Sequence, residues 1–168
     1  MFNNWEELEE ECKKCTKCKL SKARKNVVIG TGNKEADLMF IGEGPGADED
    51  MQGIPFVGRA GKLMNMAFKG LGINREDVYI ANVVKCRPPN NRNPEDDESR
   101  ACLDYLRNQV ILGKEYSITS ARGKWVEKNG ILYMPTFHPA ALLRDESKKI
   151  LFWRDLKLVL KRMEEIQR

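Results

Sequence analysis

The sequence predicts an α/β fold, a sandwich with a largely parallel sheet. Apolar segments rich in β-branched residues alternate with segments of helical periodicity, the pattern of a parallel sheet covered by helices. Strands are expected at 36–42, 77–84 and 131–136, and helices at 5–14, at 61–71, from Asp96 onward and at 148–167.

The composition predicts one globular domain, spanning 1–168. Of the 168 residues, 41% are hydrophobic and 32% are charged, which excludes a disordered chain. No run approaches the ~20 apolar residues of a membrane-spanning helix. The acidic start Met1–Glu7 lacks the features of a signal peptide, so we expect a cytoplasmic protein. The net charge of +4 permits an anionic partner without requiring one.

Three residues with useful chemistry follow the three expected strands. Glu43, Asn82 and His138 fall at or near the strand ends, and His138 is the only histidine of the chain. Ligands of α/β sheets bind beyond the carboxyl ends of the strands. We therefore expect an acid, an amide and an imidazole to meet at one edge of the sheet, around a small molecule or a base.

The five cysteines are candidate ligands of a metal or cluster, because disulfides are disfavoured in a cytosolic chain. Cys15 and Cys18 form a Cys-x-x-Cys pair, and Cys86 and Cys102 form a distant second pair. Four thiolates can hold a zinc ion or a four-iron cluster, and the spacing does not separate these options. Cys86 and Cys102 could also be small core residues. We interpret Cys12 as a packing residue of the first helix.

Five segments, in order along most of the chain, resemble those of one enzyme family. They are Cys15–Arg24, Gly42–Asp50, Gly53–Gly61, Asn82–Pro89 and Thr136–Arg144. Together they are similar to the N-terminal cysteine pair, the first motif and its continuation, the second strand with its cluster loop, and the DNA-engaging loop of the family 4 uracil-DNA glycosylases.

The resemblance implies an enzyme of base excision repair. Such an enzyme flips uracil out of DNA and hydrolyses its N-glycosidic bond, leaving an abasic site. The resemblance also implies a [4Fe-4S] cluster on Cys15, Cys18, Cys86 and Cys102, with a structural role in shaping a DNA-binding loop. We expect a monomer that acts on uracil-containing DNA, single- or double-stranded, and has no membrane partner.

The resemblance assigns roles to the residues around the base. Phe56 would stack on the pyrimidine ring. Asn82 would donate to uracil O4 and accept from N3–H, a pattern that cytosine reverses. His138 would donate a hydrogen bond to O2, where negative charge grows as the bond breaks. Gly42, Gly44 and Gly46 would let the backbone approach the substrate without Cβ clashes, and Pro45 of the same loop would also contact the substrate.

Further roles concern the attacking water and the DNA. Glu43 would position or activate the water and stabilise the oxocarbenium-like sugar. Glu49 is a second catalytic candidate, which we place with Asp50 nearer a supporting role. Arginine and lysine side chains would contact phosphates, and a leucine would wedge into the vacated stack. The candidates for these DNA contacts are Arg87, Arg92, Arg144, Lys148, Leu142 and Leu143. Both leucines could equally be core residues.

One stretch departs from the family pattern. The resemblance implies a three-layer α/β/α sandwich around a central, largely parallel sheet of four strands. The family has one of these strands and a short helix between the helix bearing Cys102 and the region matching 114–117, whereas here only Val110–Gly113 lies between. That strand is therefore absent from this sequence. Four residues extend at most ~14 Å. Either the chain is a shortened variant, or a native segment is absent from this sequence, as we expect from the intact flanking motifs. In a shortened chain, the strand ending at His138 would pair beside the one ending at Glu43, displacing His138 by about 4.8 Å.

The sequence is also compatible with two other functions. The chain could be a non-catalytic, nucleic-acid-binding iron–sulfur or zinc protein, which activity on uracil-containing oligonucleotides would separate from an enzyme. It could also be a related glycosylase for another damaged base, which competition among uracil, hypoxanthine and thymine mispairs would reveal.

Overall fold

The structure is a computed structural model that describes residue 2 and residues 4–110, 123–128 and 130–166. The chain divides into two compact units, 1–113 and 114–168, and each is described by itself. The single domain over 1–168 stays a prediction. Within the described ranges, no helix is long and apolar enough to cross a membrane.

The first unit combines four α-helices and three strands among its described residues. In chain order they are α1 (Trp5–Lys14), β1 (Thr31–Gly32), β2 (Met39–Gly42), α2 (Ala47–Gln52), α3 (Arg59–Gly70), β3 (Tyr79–Asn82) and α4 (Asp96–Val110), with short 3₁₀ helices at Lys19–Lys22 and Pro89–Asn91. Helix α1 begins where the Asn4 side chain accepts a hydrogen bond from the Glu7 amide at 2.8 Å, the usual device for satisfying a first-turn donor.

The sheet of the first unit has β3 in its centre. Its order is β1-β3-β2, with β2 parallel and β1 antiparallel to β3. All four residues of β3 are buried, because this central strand is covered on both faces. The parallel register sets Gly42 opposite Asn82, so the carboxyl ends of β2 and β3 lie at the same edge.

Two hydrophobic clusters pack the first unit. One, which we call the cysteine core, contains buried Leu8, Cys12, Leu20, Ile29, Val84, Cys86, Cys102 and Tyr105, with Cys15 and Cys18 packed against it. The other surrounds the Phe68 side chain and contains buried Phe56, Met64, Phe68, Val78 and Ile80. The Phe40 ring lies 4.7 Å from that of Phe68 and extends the second cluster. The chain thus has a separate core for its cysteines.

The second unit contains a hairpin and two helices among its described residues. Strands β4 (Val126–Lys128) and β5 (Ile131–Tyr133) pair antiparallel, and helices α5 (Pro139–Arg144) and α6 (Ser147–Ile166) pack on each other. Gly130 has a φ of +77°, which the tight turn of this hairpin requires and glycine adopts without strain.

The observed strands correct the predicted sheet. The third expected strand, 131–136, ends at Tyr133 and pairs antiparallel with β4 in a hairpin, in which Lys128 lies opposite Ile131. The sheet of the first unit is mixed rather than wholly parallel. The fold is α/β, as predicted, but the described residues do not show the four-stranded central sheet. Continuity across Val110–Gly113 lies outside the described residues.

An ion pair between buried Glu98 and partly exposed Arg92 holds the entrance to α4, the helix that carries Cys102. The carboxylate of Glu98 is fully buried and accepts two hydrogen bonds from the Arg92 guanidinium, at 2.7 and 2.8 Å. It also accepts one from the Glu95 amide at 2.8 Å. The hydrogen bonds from Arg92 hold the pKa of Glu98 below its ordinary value. Bidentate pairs of this kind are among the stronger polar contacts in proteins.

Replacing Glu98 by Gln should lower the free energy of unfolding by about 1–3 kcal/mol at neutral pH, because the buried arginine contact loses its charge partner. Since the folded-state pKa of Glu98 is lowered, its stabilisation is present above the ordinary glutamate pKa and is lost as the pH falls through the folded value. Denaturant unfolding at several pH values measures both effects. The half-exposed Glu95→Gln is the matched control and should cost less. Equal losses for the two variants would contradict this account.

Candidate functional site

The carboxyl edge of the paired strands β2 and β3 forms the centre of the candidate site. The pairing continues past the strands, since the Val83 amide donates to the Gly42 carbonyl at 2.8 Å and the Val84 amide to the Glu43 carbonyl at 3.1 Å. Glu43 and Asn82 are therefore held side by side, as the sequence predicts for two of its three edge residues. The Glu43 residue is exposed, whereas Asn82 is only 2% exposed.

The side chain of Asn82 carries an unsatisfied acceptor. Its Oδ1 atom is buried and accepts no hydrogen bond from any described residue. A buried polar atom without a partner costs about 1–3 kcal/mol, so natural proteins keep one only for a reason. A hydrogen-bond donor from a ligand can approach this oxygen past Gly42, since a Cβ built on Gly42 would lie 2.4 Å from it. The missing side chain leaves the amide oxygen uncovered.

The ring of Phe56 borders the same position. A Cβ on Gly42 would lie 2.6 Å from Phe56 Cζ, so the ring and the Asn82 oxygen flank one glycine. Phe56 is 6% exposed and has a φ of +53°, a conformation that costs a non-glycine residue energy. Gly61 of α3 accommodates this backbone, because any Cβ there would lie 1.8 Å from the Phe56 carbonyl oxygen. The structure thus brings Gly42, Phe56 and Asn82 together.

The carboxylate of Glu49 clamps the loop that carries Phe56. One oxygen accepts hydrogen bonds from the amides of Val57 (3.0 Å) and Gly58 (2.8 Å), and the other accepts from the Gly46 amide at 3.1 Å. These three bonds join the start of α2 to the loop before α3. Glu49 is 9% exposed, and its acceptors are directed at backbone, which gives it a positioning role beside Phe56.

The neighbouring acid Asp50 also binds backbone. Its carboxylate accepts from the amides of Lys25 at 3.0 Å and Asn26 at 3.4 Å, and the Asn26 side chain donates to the Asp50 carbonyl at 2.8 Å. Asp50 therefore ties the segment after the cysteine pair to α2. In the loop between β2 and α2, Pro45 is buried, and a Cβ on Gly44 would lie 2.8 Å from a methyl of Val84. The loop follows the strand ends closely.

The cysteines gather in the cysteine core and are free thiols. The Arg24 guanidinium donates to Cys86 Sγ at 3.3 Å and to the Cys15 carbonyl at 2.7 Å, and the Lys85 amide donates to Cys102 Sγ at 3.4 Å. N–H donors of this kind stabilise thiolates. Among the residues that the structure describes, no group of three or more His, Cys, Asp or Glu side chains is arranged to hold a metal ion.

Burial controls the ionisation of these thiols. It raises the pKa of Cys102 to about 11 and that of Cys12 to about 12. Burial also raises the pKa of Cys86, against the lowering effect of the hydrogen bond from Arg24. Protein thiols at such sites are protonated at neutral pH unless a metal or cluster takes the place of the proton.

The two arginines of the first unit that are candidates for phosphate contacts differ in their hydrogen bonds within the protein. Arg92 is held by Glu98 in the bidentate pair described above and also contacts Glu95 at 3.2 Å. The Arg87 guanidinium donates one hydrogen bond to Asn91 at 2.8 Å. Arg92 is therefore a structural residue at the entrance to α4, and Arg87 is the more available cation.

His138 lies at the start of α5 in the second unit. Its Nδ1 atom accepts a hydrogen bond from the Ala140 amide at 3.2 Å. In a neutral imidazole, the other nitrogen then carries the proton, so this assignment makes Nε2–H the donor. The expected position directly after a strand is not observed, since β5 ends at Tyr133.

The two candidate wedge residues on α5 have different environments. Leu142 is 1% exposed and belongs to the packed interior, whereas Leu143 is 40% exposed. Arg144 is exposed at the end of the same helix, and Lys148 lies over the Phe137 ring at 5.6 Å while pairing with Asp145 at 3.3 Å. Burial thus favours Leu143 over Leu142 as a residue that can reach a ligand.

Comparison with known proteins gives the family of this chain. The model of the Uracil DNA glycosylase superfamily matches residues 29–157. The chain belongs to this superfamily. A Type-4 uracil-DNA glycosylase of Thermotoga maritima is 45% identical over 161 residues, covering 84% of each chain. Enzymes of the same name from Saccharolobus solfataricus and Sulfurisphaera tokodaii are 47% and 43% identical, covering 84% and 94% of this chain and 78% and 84% of theirs.

The alignments also bear on the short connection after α4. The alignment with the S. tokodaii glycosylase extends over 185 residues, although this chain has only 168. That relative therefore carries residues without a counterpart here. The absence of a native segment at Val110–Gly113 stays a prediction.

Two features of this glycosylase-superfamily site were missed at the level of sequence. The first is the clamp by Glu49, whose three partners are up to nine residues away and are brought together only by the loop. The second is Lys85, which is 1% exposed. Its burial lowers the pKa of the ammonium group to about 8. A signal for Lys85 was present, because a lone charged residue interrupts the apolar run Val83-Val84-Lys85-Cys86.

Replacing Glu49 by Gln should loosen the Phe56 loop, because an amide NH₂ cannot accept the bonds that a carboxylate oxygen accepts. We expect faster hydrogen exchange at the amides of Val57 and Gly58 and a loss of about 1–3 kcal/mol in stability. Amide exchange by NMR measures the first effect. The exposed neighbour Asp48→Asn is the control and should leave these amides protected. Unchanged protection in the Glu49 variant would contradict the clamp.

Proposed function

We propose that this protein removes uracil from DNA by hydrolysing its N-glycosidic bond and so starts base excision repair. The observation that supports this proposal most directly is the buried Oδ1 of Asn82, which has no hydrogen-bond partner among the described residues and lies beside the Phe56 ring. Membership of the superfamily and the names of the relatives, Type-4 uracil-DNA glycosylases, support the same activity.

Base recognition follows from the amide of Asn82. Uracil presents an N3–H donor and an O4 acceptor side by side, which match the Oδ1 acceptor and the Nδ2 donor of one asparagine. Cytosine presents an acceptor and a donor in the reverse order, so a fixed amide would leave buried groups unpaired. The orphaned Oδ1 acquires its missing partner from N3–H of uracil.

Shape completes the recognition. The face of the Phe56 ring would stack on the flipped base, a contact worth about 1–3 kcal/mol. Gly42 keeps the space between ring and amide open, since a Cβ there would overlap both. Glu49 acts through the loop by fixing the backbone of Val57 and Gly58. We therefore assign Glu49 a positioning role rather than a direct part in the reaction.

The reaction needs a water on the sugar and charge stabilisation on the base. We assign Glu43 to the water, because its exposed carboxylate follows β2 directly at the strand edge. There it can hold the water and stabilise positive charge on the sugar. We assign His138 to uracil O2 from its place in the segment that resembles the DNA-engaging loop of the family. There the N–H of a neutral imidazole would stabilise the growing negative charge.

The chemistry and shared burial of the cysteines, rather than a preformed ligand geometry, support a thiolate-bound iron–sulfur cluster. All five are free thiols and share one core. The sulfur atoms of Cys86 and Cys102 each accept a hydrogen bond from an N–H group. We propose that Cys15, Cys18, Cys86 and Cys102 hold a [4Fe-4S] cluster. Such a group would supply a covalent link between the N-terminal segment, the loop after β3 and α4. Cys12, on the buried face of α1, packs beside them.

The substrate is proposed to be uracil-containing DNA, single- or double-stranded, bound by a cytoplasmic monomer. Exposed Leu143 would fill the space left by the flipped base, and Arg87 and Arg144 would contact phosphates. The family match crosses the boundary at 113–114, which supports one glycosylase domain over 1–168. A non-catalytic nucleic-acid-binding protein is less well supported, because it gives the orphaned Asn82 oxygen no role.

The ligand assignment predicts different outcomes for two buried cysteines of the same core. Cys86→Ala should lower the iron content of the purified protein, because one of four ligands is lost. Cys12→Ala is the matched control and should leave iron content intact. Iron analysis and the absorbance of the purified protein near ~400 nm measure both, as expected for thiolate-bound iron. Loss of iron in the Cys12 variant alone would overturn the assignment.

The proposed activity is tested on a uracil-containing oligonucleotide. Asn82→Ala and His138→Ala should each lower kcat by about a hundredfold or more, because each removes a contact that strengthens as the bond breaks. DNA affinity should change less. Asn33→Ala, an exposed asparagine, is the control. Wild-type turnover in both variants would remove these residues from the site, and an inactive wild-type protein would refute the proposed function.

A further inference from the structure

The ammonium group of Lys85 is buried next to the last residue of β3, Asn82. The residue is 1% exposed, and its Nζ donates to the Asn82 carbonyl at 2.7 Å and to Gln109 Oε1 at 2.5 Å. Burying a charge costs several kcal/mol unless hydrogen bonds compensate for lost water. A neutral side chain would fill this position at lower cost, so the contacts themselves call for an explanation.

Both polar groups of the peptide unit between Asn82 and Val83 are fixed. Its N–H donates to the Gly42 carbonyl at 2.8 Å, and its C=O accepts from Lys85 at 2.7 Å. Without the ammonium, only one end of that plane would be held. The plane matters because the Asn82 side chain leaves the backbone there and its Oδ1 has no partner among the described residues. The backbone and packing must therefore orient the amide.

Lys85 is itself anchored on two sides. Its backbone N–H donates to Cys102 Sγ at 3.4 Å, and its carbonyl accepts from the Val28 amide at 2.8 Å. Its other side-chain partner, Gln109, donates to the Ile29 carbonyl at 3.0 Å and to the Tyr79 hydroxyl at 3.4 Å. The backbone of Lys85 thus belongs to the cysteine core, and its side chain to the strand that carries Asn82.

We propose that Lys85 is a positioning residue for uracil recognition, which holds the Asn82 peptide so that its amide faces the base, and links that amide to the cysteine core. This inference rests on the proposed function. Lys85 touches neither the base nor the sugar in this account. Its effect is exerted through Asn82, and Gln109 keeps the ammonium in place.

The test compares Lys85→Met with two changes at Gln109. Lys85→Met keeps an unbranched side chain, one atom shorter, and the backbone bond to Cys102, but it removes the donor to Asn82. Gln109→Leu removes the acceptor for the ammonium together with the donors to Ile29 and Tyr79. Gln109→Glu restores the acceptor alone, so a recovery of activity in that variant identifies the contact with Lys85 as the one that matters. Lys62→Met, on the exposed face of α3, is the control for loss of a lysine. The readouts are kcat and KM on a uracil-containing oligonucleotide, iron content and denaturant unfolding.

Lys85→Met and Gln109→Leu should lower kcat by about tenfold to a hundredfold, since errors of ~1 Å in positioning have effects of this size. KM and the iron content per protein should stay within about twofold of wild type. Gln109→Glu should recover most of the activity lost in Gln109→Leu. Wild-type kcat in a folded Lys85→Met protein would overturn the proposal. A parallel fall of kcat, iron content and stability would overturn it too, because it would show a purely structural role.

A second variant and an NMR measurement separate failure of this proposal from failure of the proposed function. If Lys85→Met does not fold, Gln109→Leu decides, and wild-type kcat in that variant would overturn the proposal. If the wild-type protein does not excise uracil, the proposed function fails independently of Lys85. The side-chain amide NMR resonances of Asn82 then report its orientation directly. They should shift or broaden in Gln109→Leu and return in Gln109→Glu, and unchanged resonances would overturn the positioning role.

Discussion

The parallel pairing of β2 with β3, which sets Gly42 opposite Asn82, is the contact on which the rest of the site depends. It places an exposed acid and a buried amide at one edge of the sheet. Because Gly42 has no side chain, the oxygen of that amide is left uncovered. A shift of this register by one residue would turn every side chain of the strand to the other face. Asn82 would then leave the site and an apolar neighbour would replace it.

Buried polar groups keep this edge rigid at a cost in stability. Glu49 holds the Phe56 loop through three backbone amides, and Lys85 holds the Asn82 carbonyl. Buried charges contribute little net stability but fix a unique geometry when their hydrogen bonds are complete. The unpartnered oxygen of Asn82 is the exception, and a ligand with a matching donor removes that penalty. In the proposed function, the N3–H of a flipped uracil is that donor.

Sequence reasoning succeeded where the signal was local or belonged to the family motifs. Apolar runs predicted β2 and β3, and the ends of parallel strands predicted that Glu43 and Asn82 would be neighbours. The hairpin of β4 and β5 was missed although Asn129-Gly130 is a strong turn signal. The Glu49 clamp could not be predicted, because its partners meet only after the loop has folded around a positive φ at Phe56. Burial, which sequence does not give, separates Leu142 from Leu143.

The most direct test of the account is the position of free uracil in a crystal structure of the complex. The account predicts that the uracil ring stacks on Phe56 and that N3 lies about 2.7–3.2 Å from Asn82 Oδ1, the range of an N–H···O hydrogen bond. Uracil bound away from Phe56, or an Asn82 Oδ1 bonded to another group of the protein in the complex, would contradict it.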